Sequence, residues 1–241
     1  MLSIVIKNYW NRAINIEQKR LNAMPIFRLS NKHILFPDPN YAEDDGLLAI
    51  GGDVTDLWVE SAYRMGIFPW YSNDREILWW SPNPRFVLFP KELKVTKSLK
   101  KFLKKNPYKI TFNKNFYDVI NNCGDLRKKG KGGTWITKKI IKAYSDLNNR
   151  GLAVSAEAWY ENKLVGGLYG VNIGKCFYGE SMFHTMDNAS KVAFVHLVEK
   201  LVDLDFKIID CQVHTDYLES FGARFITRGD FLSIIRKWTI E

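Results

Sequence analysis

The segment 207–213 embeds a carboxylate and an amide, Asp210 and Gln212, in an otherwise apolar, strand-like run. Residues i and i+2 of a strand point to the same face, so these two groups share one face while Ile209 and Cys211 take the other. A carboxylate is costly to bury without a partner. Asp210 therefore either ties down a turn or neighbouring loop, or serves as a general base oriented by the amide beside it. A second embedded carboxylate, Glu180, stands in Phe177-Tyr178-Gly179-Glu180-Ser181-Met182-Phe183. An outward-facing strand position would explain it. Two embedded carboxylates in neighbouring strands also suit the wall of a cleft.

Three further features carry chemical information. Asp187-Asn188-Ala189-Ser190-Lys191 opens a predicted helix, and a helix N-terminus presents free N–H groups to a phosphate or carboxylate. Plain capping by Asn188 or Ser190 accounts for the same residues. Lys97, Lys100, Lys101, Lys104 and Lys105 recur at i, i+3, i+4, i+7 and i+8 of a predicted helix over 97–105, with no acidic residue between Lys94 and Lys105. Leu99, Phe102 and Leu103 lie away from the middle of that face and can pack inward. A stripe of one sign has the form of a phosphate-backbone footprint. Of the eight tryptophans, Trp70, Trp79, Trp80 and Trp135 stand in Gly/Pro-rich contexts, as core anchors or as platforms for the bases of a single-stranded 3′ end.

The elements that must hold these groups can be read from periodicity and punctuation. Strands are predicted over 85–89, 108–112, 152–160, 164–171, 175–183, 207–213 and 224–227. Helices are predicted over 97–105, 136–149, 190–204 and 216–221, with a last one at the C-terminus; the second follows the glycine-rich stretch Gly130–Gly133. Antiparallel strands leading into a helix and another strand predict a mixed α/β, acyltransferase-like sheet over 84–241. Residues 24–83 read as a small N-terminal domain with one helix from Asp56 to Met65, capped by Thr55 and stopped by Gly66. Residues 1–23 are polar and without period, an N-terminal extension.

With 46% hydrophobic and 25% charged residues in 241, the chain reads as an ordinary soluble globular protein that needs no disulfide staples. It has neither a signal peptide nor an apolar run near the roughly 18 residues of a membrane helix. The three cysteines, Cys123, Cys176 and Cys211, are too widely spaced for a disulfide framework or a zinc site. Reduced thiols in a cytoplasmic protein fit them. A net charge of +9, from 35 Lys+Arg against 26 Asp+Glu, favours polyanionic partners.

The same segments resemble a known family, the leucyl/phenylalanyl-tRNA–protein transferases. The resemblance rests on eight strings in the family's order: 46–53 (GLLAIGGD), 66–70 (GIFPW), 77–85 (ILWWSPNPR), 134–137 (TWIT), 164–170 (LVGGLYG), 179–183 (GESMF), 189–191 (ASK) and 209–212 (IDCQ). It implies a small N-terminal domain on a larger domain of the GNAT acyltransferase type, acting without metal or dissociable coenzyme, as a monomer. The implied reaction moves leucine or phenylalanine from aminoacyl-tRNA to a protein whose N-terminus is Arg or Lys, marking it for degradation. By resemblance, Asp210 and Gln212 are the family's acid and amide, Glu180 its acceptor-site glutamate, and Trp70 and Trp135 its tryptophans near the tRNA 3′ end. The implied tRNA-binding helix carries Lys97, Lys101, Lys104 and Lys105. The implied aminoacyl pocket is formed by Leu168, Phe177, Phe194, Leu197 and Ile209, with Ser190 beside it.

An aminoacyl ester is already activated, so catalysis needs placement and removal of a proton from the attacking ammonium. Asp210 is expected to assist that deprotonation, Gln212 or a backbone N–H to stabilise the oxyanion, and Glu180 to pair with the acceptor's basic side chain. A hydrophobic slot discriminates by only about 1–3 kcal/mol per methylene, so some methionine transfer is expected. The chain departs from the family at residues 1–23, at His184-Thr185 where Ser-Arg is usual, and at Val154 and Tyr217, where histidines are frequent. An acetyl-CoA enzyme of the same fold would need a Gly-rich pyrophosphate loop, and Gly179–Lys191 contains one glycine. A non-catalytic RNA-binding module would account for the lysines and leave Glu180, Asp210 and Gln212 without a role.

Overall fold

The computed structural model describes residues 26–72, 76–129 and 134–239. The expected extension over 1–23 and the stretch Gly130–Gly133 lie outside the described residues. Strands β1 (Phe27–Leu29) and β2 (Leu47–Gly51), helix α1 (Asp56–Arg64), and strands β3 (Phe68–Pro69) and β4 (Leu78–Trp80) come first. They build a four-stranded sheet in the order β1-β2-β4-β3, with β1 and β2 parallel. The chain continues through β5 (Arg85–Leu88), α2 (Lys97–Leu103), β6 (Lys109–Phe112), α3 (Phe116–Lys129) and α4 (Lys138–Asn149). It then runs through β7 (Ala153–Tyr160), β8 (Lys163–Ile173), β9 (Cys176–His184), α5 (Ala189–Asp203), β10 (Ile208–Gln212), α6 (Asp216–Glu219), β11 (Arg224–Ile226) and α7 (Arg228–Trp238). These strands form a seven-stranded sheet ordered β11-β5-β10-β9-β8-β7-β6, antiparallel except for β9 and β10. The class is the mixed α/β one expected.

Local chemistry explains the elements. The Thr55 hydroxyl accepts the Trp58 N–H at 3.4 Å and starts α1, whose buried face is Trp58, Val59, Ala62 and Tyr63. Gly66, at φ 74°, follows in the left-handed conformation that glycine adopts without strain. Between β7 and β8, Glu161 and Asn162 both have positive φ, 47° and 62°, as a two-residue hairpin of the twist-compatible type requires. Helix α5 buries Ala189, Ser190, Val192, Ala193, Phe194, Val195, Leu197, Val198 and Leu201. An apolar surface that wide belongs inside a core, and each large side chain so buried contributes about 1.5–3 kcal/mol.

The seven-stranded sheet is covered on both faces. One face carries α2 and α5, in an apolar cluster that includes Leu168, Phe177, Phe194, Leu197 and Ile209. The other carries α1, α3, α4, α7 and the four-stranded sheet, in a cluster running from Leu47 and Trp79 through Tyr144 and Tyr178 to Phe231. The composition shift near residue 83 falls between β4 and β5, yet this second cluster spans it without a break. Two parts of the chain were not read from sequence: the four-stranded sheet and α3. Strands of two and three residues, such as β3 and β4, are too short to display a period, and α3 has Asn121, Asn122 and Gly124 in its interior. No helix among the described residues is long and apolar enough to cross a membrane.

Candidate active site

The parallel ladder of β9 and β10 pairs Ile208 with Cys176, Ile209 with Phe177 and, last, Asp210 with Tyr178. Just beyond that point both strands bulge. Across β8 and β9, Gly170 pairs with Gly179 and Tyr169 with Ser181, so Glu180 is an extra residue without a ladder partner. A bulge re-aims a side chain, and this one depends on Gly170: a Cβ there would lie 2.3 Å from the Tyr178 carbonyl and 2.4 Å from the Phe177 ring. Across β5 and β10, Asp210 pairs with Val87 and Gln212 with Phe86, which makes Cys211 the extra residue. Gln212 takes a left-handed φ of 63°.

These bulges bring Glu180 and Gln212 into contact. The Gln212 amide donates to Glu180 Oε1 at 2.9 Å, and the Tyr63 and Tyr144 hydroxyls donate to Oε1 and Oε2 at 2.5 and 3.1 Å. The two tyrosine oxygens also lie 2.7 Å apart, within hydrogen-bond reach, a contact one phenol can donate to only when its proton is turned away from Glu180. Burial pushes the Glu180 carboxyl up to about 7, with a smaller push from the Asp210 charge, against the lowering by its three donors. Burial, then the Glu180 charge, holds both phenols well above their usual range. A carboxylate offers roughly four acceptor positions, and three are taken. That leaves room for one further proton donor, which suits a base; the role expected for Glu180 was to pair with the acceptor's basic side chain.

Asp210 is placed differently from the proton acceptor that the sequence suggested. Its side chain is almost wholly buried. Arg85, equally buried, donates from Nε to Oδ1 at 2.8 Å and from Nη2 to Oδ2 at 2.6 Å. Oδ1 also accepts the Gln212 backbone N–H at 2.9 Å. Both oxygens are therefore committed, and an acceptor amine has no path to them. The physical reason is the one that made Asp210 conspicuous in the sequence: a buried carboxylate needs a cation. Arg85, at the head of the apolar strand Arg85–Leu88, was the readable signal for it. Tyr63 and Tyr144 carried no comparable signal, because buried tyrosines in amphipathic helices look like core.

The other expected residues divide between the two faces. Leu168, Phe177, Phe194, Leu197 and Ile209 share one apolar cluster, each under 5% exposed. That cluster lies on the sheet face opposite Glu180, whose partners Tyr63 and Tyr144 belong to the other one. An added Cβ at Gly179 would lie 3.6 Å from the Asp210 carbonyl and 3.8 Å from the Phe177 ring. Ser190 is buried in the first turn of α5, its hydroxyl 3.4 Å from His184 Nδ1. Asn188 is the N-cap residue but makes no side-chain cap bond. Trp70 is half-buried and Trp135 buried, both packed with the first-described tyrosines' cluster. Trp79 and Trp80 are core: their indole N–H groups donate to the Gly51 and Trp70 carbonyls.

The basic stripe is exposed along its length at Lys97, Lys100, Lys101, Lys104 and Lys105. Helix α2 ends at Leu103 with Lys104 as its C-cap, so Lys105 lies past the helix. Leu99, Phe102 and Leu103 anchor α2 on the same cluster as the five apolar residues, which places the stripe on that side of the sheet. No carboxylate pairs with these five lysines among the described residues.

Comparison with known proteins bears on the family of the chain. The leucyl/phenylalanyl-tRNA protein transferase family profile matches residues 87–236, and the profile of that family's N-terminal domain matches 52–83. A leucyl/phenylalanyl-tRNA–protein transferase of Syntrophobacter fumaroxidans is 51% identical over 88% of this chain and 90% of its own length. Its counterpart in Flavobacterium johnsoniae is 47% identical over 85% and 97%. Among solved structures, an aminoglycoside acetyltransferase from an uncultured soil metagenomic sample aligns at 17% identity and a TM-score of 0.36, covering 56% of this chain and 91% of that one. A likeness at that score carries no argument. Identity near one half along almost the whole chain does, and the chain belongs to the leucyl/phenylalanyl-tRNA protein transferase family.

Proposed function

We propose that the protein moves leucine or phenylalanine, and methionine less well, from aminoacyl-tRNA to the N-terminal Arg or Lys of an acceptor protein, marking it for degradation. It acts as a monomer in the cytoplasm and needs no cofactor. The observation that carries this reading is the Glu180–Gln212–Tyr63–Tyr144 cluster at the point where β9 and β10 lose their pairing. In the proposed step, the acceptor's α-amino nitrogen attacks the ester carbonyl carbon. A C–N bond forms, the C–O bond to the ribose breaks, and the ribose hydroxyl leaves with a proton. Glu180, raised to about 7 by burial, is matched to take the proton that the amine loses. The second N–H of the Gln212 amide stabilises the oxyanion. Asp210 positions Gln212 instead of touching substrate.

The apolar cluster of Leu168, Phe177, Phe194, Leu197 and Ile209 takes the aminoacyl side chain. Ser190 lies in the same helix as Phe194 and Leu197, beside that pocket, and Trp70 and Trp135 contact the tRNA 3′ end. Lys97, Lys101, Lys104 and Lys105 neutralise acceptor-stem phosphates as point charges. The test is a ribosome-free incubation of labelled Leu-tRNA or Phe-tRNA with peptides beginning in Arg, Lys or Ala. Label is expected on the Arg and Lys peptides only. Folded, tRNA-bound protein that leaves the Arg peptide unlabelled would remove the assignment.

A further inference from the structure

We propose that Arg85 is a positioning residue of the transfer site, acting through Asp210 on the Gln212 amide; the inference rests on the function proposed above. The connection is a continuous set of hydrogen bonds. Arg85 grips both Asp210 oxygens, at 2.8 and 2.6 Å. Such a fork fixes the plane of a carboxylate as well as its position. The gripped Oδ1 accepts the Gln212 N–H at 2.9 Å, and Gln212 is held at φ 63°. That conformation is unfavourable for a residue with a side chain and persists when the surroundings over-determine it. From it, the amide reaches Glu180 at 2.9 Å.

What holds Arg85 lies further from the site. Its Nη1 is buried without a hydrogen-bond partner. The guanidinium carbon lies 4.7 Å from the Phe68 ring centroid and 4.6 Å from that of Phe231, so two aromatic faces stabilise the cation. Phe68 belongs to β3 of the four-stranded sheet, two residues before Trp70, and Phe231 to α7. The orientation of the Gln212 amide is thereby tied to the seating of the four-stranded sheet and of the last helix. Lysine keeps the charge but has neither the planar fork nor the flat face that two rings can stack on.

A pair that served stability alone would make no demand on Gln212. The distinction is measured by a double-mutant cycle on the transfer reaction, using wild type, Arg85→Lys, Gln212→Ala and the double variant. Each is assayed for kcat and for KM toward Phe-tRNA with an Arg-initiated peptide, and its melting temperature is recorded. Gln212→Ala should lower kcat about 100-fold, as loss of a transition-state donor does. Arg85→Lys should lower kcat about 10-fold and leave KM for Phe-tRNA within about twofold, because its contact is felt in the reacting geometry. In the double variant, Arg85→Lys should cost less than about twofold beyond Gln212→Ala, since residues acting in series are not additive. Losses that multiply, or a loss confined to KM, overturn the role. Should Arg85→Lys fail to fold, Phe231→Leu, which removes one ring and leaves the ion pair, takes its place in the cycle with the same expected outcomes. A wild type that transfers no label defeats the proposed function itself; a wild type that transfers while the losses multiply defeats only the role of Arg85.

Discussion

Replacing Glu180 by glutamine should make the protein more stable at neutral and alkaline pH while abolishing most of its transfer activity. The folded protein raises this carboxyl from 4.5 to about 7, mainly through burial. In the unfolded chain it ionises near 4.5, so between roughly pH 4.5 and 7 the native state retains a proton that the unfolded state has lost. Stability then falls as pH rises through that window and levels off above it. At about 1.4 kcal/mol per pH unit, the displacement is worth on the order of 3 kcal/mol as a ceiling. Glutamine preserves the shape and the network: its oxygen accepts from Tyr63 and Gln212, and its amide donates to the Tyr144 oxygen. The groups facing Glu180 are Tyr63 on α1, Tyr144 on α4, and Asp210 and Gln212 on β10. Both phenols are pushed upward and stay protonated across the window. Denaturant unfolding of both proteins from about pH 5 to about pH 8 isolates the effect, because every other titrating group cancels in the difference. The advantage of Glu180→Gln should grow by about 2–3 kcal/mol over that range. In the wild type, kcat/KM should rise with pH through an acid limb near 7. A stability difference that stays flat with pH, or an acid limb below about 5.5, would refute the reasoning that burial poises this carboxylate as a base.

Asp210→Asn should strand the Arg85 cation in a buried site and cost about 3–5 kcal/mol of stability. Its denaturation midpoint should drop together with its activity, whereas loss of a simple general base would leave the midpoint in place. Changing Lys101 and Lys104 to glutamine should weaken tRNA binding and make the slope of log K against log salt less steep by about 0.7–0.9 per phosphate contact removed. Filter binding at several salt concentrations checks this, with turnover at saturating tRNA unchanged. Gly170→Ala drives a methyl into the Tyr178 carbonyl and the Phe177 ring, so it should remove the Glu180 bulge. Loss of the acid limb in kcat/KM, read alongside a lower melting temperature, is the expected result.

Several features of the protein were legible in the sequence because they depend on near neighbours. The strands 153–160, 163–173 and 176–184 and the helix 189–203 fall within two residues of their expected limits, since alternation, turn residues and apolar periodicity are local. The lysine stripe is local too: spacing on a helix decides which side chains share a face, and all five are exposed. Asp210, Gln212 and Glu180 stood out because polar groups in apolar strands demand an explanation. Their tasks could not be read from there. Which cation Asp210 meets, 125 residues away in the chain, follows from β5 lying beside β10. The expected base became the Arg85-bound anchor for that reason. Glu180 acquires its proton affinity from burial, which outweighs the opposing hydrogen bonds from Tyr63 and Tyr144, 117 and 36 residues distant. Two bulges then turn Glu180 and Gln212 toward each other, out of the strict alternation on which a sequence reading relies. The sequence by itself therefore determined the family, the fold class and the residues worth attention. The charge state and direction of those residues are long-range properties, and only the packed tertiary structure decided them.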